Sequence, residues 1–73
     1  MRRALLLSPR EIQVFLLLGS GLSNRAIAIK LNITERTAKA HLTRIMAKLE
    51  VESRLQAGLV SYAIQLALRR DSP

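Results

Sequence analysis

Three kinds of side chain in this 73-residue sequence could do chemistry, and their numbers already separate them. General acid–base catalysis needs a poised titratable pair held in a pocket. The chain offers one histidine, His41, and five carboxylates, and it is too short to enclose a substrate cavity as well as a core. It has no cysteine, which excludes a disulfide framework and a thiolate zinc site. His41 has no partner at metal-ligand spacing, so no catalytic residue, no metal site and no cofactor is expected. What remains is positive charge: twelve Lys and Arg against five Asp and Glu, a net charge of +7. Such an excess on so short a chain favours a polyanionic partner, either DNA, RNA or an anionic membrane surface. Phe15 and Tyr62 are the only aromatic residues. That argues against a single-strand binder, which stacks bases on aromatic rings.

The charge is concentrated. Between Ser23 and Lys48 stand Arg25, Lys30, Arg36, Lys39, Arg44 and Lys48 against Glu35 alone, which places five of the seven net charges in about a third of the chain. The elements that must position these cations can be read from their caps. Ser8-Pro9-Arg10-Glu11 opens a helix, with Ser8 as cap, Pro9 at the first helical position and Glu11 closing a capping box. Ile12, Val14, Phe15, Leu16, Leu17 and Leu18 surround that helix with apolar side chains, so it should be buried, and Gly19-Ser20-Gly21 ends it. A second helix starts at Ser23 and runs to about Leu31, with Asn32 able to take the left-handed conformation of a helix end. Thr34 caps a third helix only two residues later. A connection that short makes a helix-turn-helix.

Projected at about 100° per residue, the third helix has two distinct faces. Ala38, Leu42, Ile45 and Leu49 form a core stripe with Met46 beside it. Opposite lie Arg36, Ala40, Thr43 and Ala47, edged by Lys39 on one side and by Thr37, Arg44 and Lys48 on the other. A solvated face would carry long polar side chains and mixed charge. Small residues between cations instead admit a close backbone approach and suit two rows of phosphates.

Ser53 and Gln56 form a second capping box, opening a fourth helix to about Arg69. Its polar stripe, Arg54, Gly58, Ser61, Gln65 and Arg69, is narrow. The apolar arc is about 240° wide, well beyond the roughly 100° one small domain needs. Leu55, Leu59, Val60, Tyr62, Ala63 and Leu66 are the candidate contacts for a second buried surface, most simply the same helix of another subunit. Packing against the chain ends or another domain is the blander account of the surplus. Glu11 and Arg54 could pair across the domain, or each could simply cap or be solvated. The ends look loose, and the apolar run Ala4–Leu7 is too short for a secretory signal. The longest apolar run, Val14–Leu18, is too short to span a bilayer. The expectation is one domain over residues 1–73, all-α, with helices at about 8–18, 23–31, 34–49 and 53–69. It should be cytoplasmic, without a membrane or a small-molecule ligand.

The segments LSPRE, GLSNRAIAIKLNITERTAKAHL and KLEVESRLQA, in this order and spacing, resemble the LuxR/GerE-type DNA-binding domain of bacterial transcription regulators, over about residues 7–57. The resemblance implies a four-helix, winged-helix-like helix-turn-helix domain. Its third helix would enter the major groove of double-stranded DNA, and its fourth would pair in a homodimer. By position, Lys39, Ala40 and Thr43 match base-facing residues, and Thr37, His41, Arg44 and Lys48 match positions at or near phosphates. Ser23, Asn24 and Arg25 stand where the second helix presents its N-terminus to the backbone; Arg36, on the same outward face, joins the phosphate set. Lys can donate to guanine, and Thr can hydrogen-bond a base or touch a thymine methyl, whereas Ala offers apolar contact alone. So few long base-reading side chains leave part of the specificity to DNA shape. Three residues depart from the family pattern: Ala26 for an acidic residue, Glu50 for Gly and Ala38 for Val. A left-handed Glu50 would cost roughly 1 kcal/mol. Two other functions fit the same composition: a protein-interaction module docking through helix four on another regulator or on RNA polymerase, and a basic membrane-surface binder.

Overall fold

The capping residues read from the sequence act as caps in the computed structural model, which describes residues 2–70. Helix α1 spans Pro9–Gly19, and at its start the Ser8 hydroxyl accepts from Glu11 N at 3.2 Å while Glu11 Oε1 accepts from Ser8 N at 2.9 Å. Helix α2, Asn24–Leu31, is capped by Ser23, which accepts from Ala26 N at 3.1 Å. With Ala26 in place of an acid, that cap has no reciprocal carboxylate. Helix α3, Glu35–Leu49, starts at Thr34, whose hydroxyl accepts from Thr37 N at 3.0 Å. Helix α4, Arg54–Arg70, begins with Gln56 N donating to Ser53 Oγ at 3.2 Å and Ser53 N donating back to Gln56 Oε1 at 3.1 Å. The described residues are all-α, with no strand.

Helices α1, α2 and α3 end through a left-handed residue: Gly21 at φ 87°, Asn32 at φ 56° and Glu50 at φ 56°. Beyond each, the next N–H returns to the last turn: Leu22 to Leu17 O, Ile33 to Ala28 O and Val51 to Met46 O. This satisfies carbonyls that the helix ends would otherwise leave open. Glu50 does adopt the conformation that disfavours a side chain, and its carboxylate is paired with Arg3.

That pairing belongs to an element without a sequence signal. Arg2–Leu6 forms a 3-10 helix against α3, where a loose end was expected. It delivers Leu7 into the core, with Ala4 packed against it. The rest of the termini, residues 1 and 71–73, including the ends of the expected 1–73 domain, lies outside the described residues.

The core forms where α1, α2 and α3 meet. Val14, Ile27 and Ile45 are its fully buried centre, each contributing about 1.5–3 kcal/mol by leaving water. On α3 the expected stripe is the buried one: Ala38, Leu42, Ile45 and Leu49. Ala38 is fully enclosed although smaller than the usual Val. Helix α1 corrects the expectation of all-round burial, because Ile12 and Leu16 are 41% and 39% exposed. Only its Glu11, Val14, Phe15 and Leu18 side is covered, by α3 and α4.

Helix α4 lies on α1 with its polar stripe inward. Ser61 is completely buried and donates to Phe15 O at 2.6 Å, and Gln65 donates to Leu16 O at 3.1 Å. A methyl group on Gly19 would stand 2.6 Å from Ser61 Cβ, so the two helices touch where side chains are smallest. The stripe of small and polar residues is thus an intramolecular seam, flanked by buried Ala57 and half-buried Val60 and Ile64, and Leu55, Leu59, Tyr62 and Leu66 lie outside it.

Candidate nucleic-acid interface

The turn between α2 and α3 is fixed by backbone hydrogen bonds and by Asn32, so α3 stands out from the domain with one side anchored. On the opposite side Arg36, Thr37, Lys39, Ala40, Thr43, Arg44 and Ala47 are all exposed. Ala40, Thr43 and Ala47 make a shallow floor, with Arg36, Lys39 and Arg44 around it. Neither these three cations nor Arg25 has a carboxylate partner among the described residues. Their charge is therefore available to an external anion, at no cost in broken ion pairs.

The two threonines of this face differ in what they can still donate. The Thr37 hydroxyl accepts from Thr34 Oγ1 at 2.9 Å and keeps its own proton free. The Thr43 hydroxyl donates to the Lys39 carbonyl at 3.1 Å. At the head of α2, Ser23 and Arg25 are exposed, whereas Asn24 is half-buried and its side-chain oxygen accepts from Arg54. A helix N-terminus with free N–H groups favours a phosphate.

Two assigned positions are tied into the domain. Lys48 donates to Glu11 Oε1 at 2.6 Å, joining the last turn of α3 to the capping box of α1. Glu11 itself is only 4% exposed. The hydrogen bond from Lys48, followed by that from the Ser8 backbone, holds the Glu11 carboxyl below its ordinary value near 4.5 against the opposing effect of burial. His41 is half-buried, with Nδ1 shut off from solvent and without a hydrogen-bond partner. The other nitrogen, Nε2, is thus the one available for an outside contact.

The Glu11–Arg54 pairing does not form. Glu11 is taken by Lys48, and Arg54 instead binds the α1–α2 turn through Leu22 O at 2.6 Å and the Asn24 side chain. Sequence reasoning missed both links, since the signal available was only a capping acid and a cation at the start of a helix. Their partners are 37 and 30 residues away in the chain.

The far side of α4 presents Leu55, Leu59, Tyr62 and Leu66 at 72%, 58%, 55% and 44% exposure, with Ala63 beside them. Their spacing places them on one face, about 110° round the helix from Ser61 and Gln65 and opposite Ala57 and Ile64. Val60, expected in this set, packs half-buried against the core instead. Leu55, Leu59 and Tyr62 also border an open groove that runs under Leu18 and Leu22 to the head of α2.

Among the described residues no three His, Asp or Glu side chains gather as a metal site, and no helix is long and apolar enough to cross a membrane. Residues 5–61 match the family model described as bacterial regulatory proteins, luxR family. The chain is 51% identical over 55 residues to the transcriptional regulatory protein LnrK of Bacillus subtilis (strain 168), covering 75% of this chain and 25% of that protein. It is 45% identical over 60 residues to the response regulator protein VraR of Staphylococcus aureus (strain COL), covering 82% of this chain and 28% of that one. The VraR protein of Staphylococcus saprophyticus matches to the same extent. The chain therefore spans about a quarter of the length of these relatives.

Proposed function

The chain belongs to the luxR family of bacterial regulatory proteins, as a helix-turn-helix DNA-binding module of transcription regulation, and from that premise we propose that it reads double-stranded DNA sequence-specifically as a homodimer. Helix α3 enters the major groove. Lys39, Ala40 and Thr43 face the bases, while Arg36, Thr37, His41 and Arg44 meet phosphates together with Ser23, Asn24 and Arg25 at the head of α2. Lys48 leaves this set, because its ammonium is held by Glu11. Two α4 helices pair through Leu55, Leu59, Tyr62, Ala63 and Leu66, with Val60 at the edge of the contact. The observation that carries the reading is the outer face of α3, where unpaired cations surround a floor of small residues. Phosphate contacts set affinity and orientation, and the few base contacts set sequence.

Selection from a random duplex library at about 0.15 M salt, where distant surface charges are screened, tests it. The expected product is an imperfect inverted repeat whose half-sites lie about 34 Å apart, one turn of the duplex. Absence of any enriched sequence, with binding that vanishes as salt rises, would overturn it. A stable dimer without DNA affinity would instead identify α4 as a docking surface for another protein.

A further inference from the structure

The Thr43 side chain has one proton and has already spent it. Its hydroxyl donates to the carbonyl of Lys39, one turn back along α3, at 3.1 Å. A threonine bonded in this way turns its oxygen toward the preceding turn, which leaves the Cγ2 methyl as the group it offers outward. Thr43 is exposed, in the middle of the face that carries Lys39 and Ala40. Thr37 on the same helix shows the other arrangement, since it accepts from Thr34 and retains a donor proton. The two threonines of α3 are thus chemically different although both face outward.

We propose that Thr43 is a specificity-determining residue that reads the 5-methyl group of a thymine through its own methyl, and does not donate to an acceptor edge of a base. In the major groove the thymine methyl is the one apolar group that a base pair presents. A side chain whose only donor is satisfied within the helix gains there by excluding water, and it loses nothing by failing to donate. Lys39, one turn earlier, carries the free donors of the set and is suited to guanine O6 and N7. The base-facing residues then divide the work, with Lys39 recognising acceptors and Thr43 recognising a methyl.

The assignment rests on the reading of α3 as the major-groove helix, and the test separates the two. The 73-residue chain is titrated with the duplex that it enriches from a random library, and with copies carrying deoxyuridine in place of each thymine in turn. Deoxyuridine removes the methyl and leaves pairing unchanged. At one thymine per half-site, affinity should fall about fourfold, the worth of one buried methyl-sized group. Thr43→Val keeps the methyl and loses the hydroxyl, so it should keep the deoxyuridine effect. Thr43→Ser keeps the hydroxyl and loses the methyl in both protomers; it should bind about sixteenfold more weakly and no longer distinguish thymine from deoxyuridine at that position. If Thr43→Val loses binding while Thr43→Ser retains it, the hydroxyl is the reading group and the proposal is wrong. It is equally wrong if no thymine is sensitive to deoxyuridine. Failure to enrich any duplex would overturn the groove assignment itself, and this proposal with it.

Discussion

Helices α3 and α4 are both amphipathic, yet they leave outer faces of opposite character. Helix α3 turns its apolar stripe to the core and its cations outward. Helix α4 turns Ser61 and Gln65 inward beside Ala57, Val60 and Ile64, and leaves its larger apolar residues Leu55, Leu59, Tyr62 and Leu66 in the open. Apolar area alone would have turned the leucines inward. What reverses it is the partner surface: α1 near Gly19 offers carbonyl oxygens and no room, so small hydrogen-bonding side chains fit there and leucines do not. Hydrophobic pattern identifies faces, but the opposing surface decides which of them goes in.

The comparison breaks most sharply at Ser61. Ser61→Leu places a large side chain against Gly19 and leaves Phe15 O without its donor. Overpacking and the lost hydrogen bond together should cost about 3 kcal/mol in urea unfolding. A change below about 0.5 kcal/mol would mean that α4 rolls freely and its mounting is not fixed by this seam.

A smaller effect separates Lys48 from the cations it resembles. Lys48→Met should lower stability by about 1 kcal/mol, a figure reduced for an ammonium that is a third exposed to solvent. Because the Glu11 carboxyl is held below its ordinary value, the stability it contributes is fully present above about pH 5 and is lost as pH falls through its lowered value. The gap between wild type and Lys48→Met should therefore close in acid. The salt dependence of DNA binding should be unchanged in Lys48→Met and should flatten by about 1.8 in Arg44→Ala, about 0.9 for each protomer of the dimer. The same flattening in both variants would return Lys48 to the phosphate contacts.

These results also locate what was legible in the sequence. Ser8, Ser23, Thr34 and Ser53 act locally, within four residues of their partners, and all four helix starts were readable for that reason. The inner stripe of α3 was readable because its period matches the helix and its outer face is polar. The partners of Glu11, Lys48 and Arg54 were not, since each pair is closed only by the fold. The 3-10 segment was missed because Arg2–Leu6 has neither a cap nor a period. For α4 the wide apolar arc was read correctly as a surplus, but nothing in the sequence told that Ser61 would meet a carbonyl.

The smallest expected change is at Glu50, whose left-handed backbone is the one the sequence serves least well. Glu50→Gly should raise stability by about 1 kcal/mol, offset in part by losing the exposed pair with Arg3. In thermal unfolding a gain of that size corresponds to about 4–8 °C. A fall in the melting temperature would mean that the Arg3 contact outweighs the backbone strain.

The division of labour between the two helices is tested most directly by running the duplex selection in parallel with wild type and Leu59→Glu. Leu59 is exposed on the face opposite the seam, so the variant should match wild-type stability within about 0.5 kcal/mol. Wild type should enrich an inverted repeat, and the variant single half-sites of the same sequence, bound by monomers. The same inverted repeat from both chains would remove α4 from the pairing surface, and no enriched sequence from either would remove α3 from the groove.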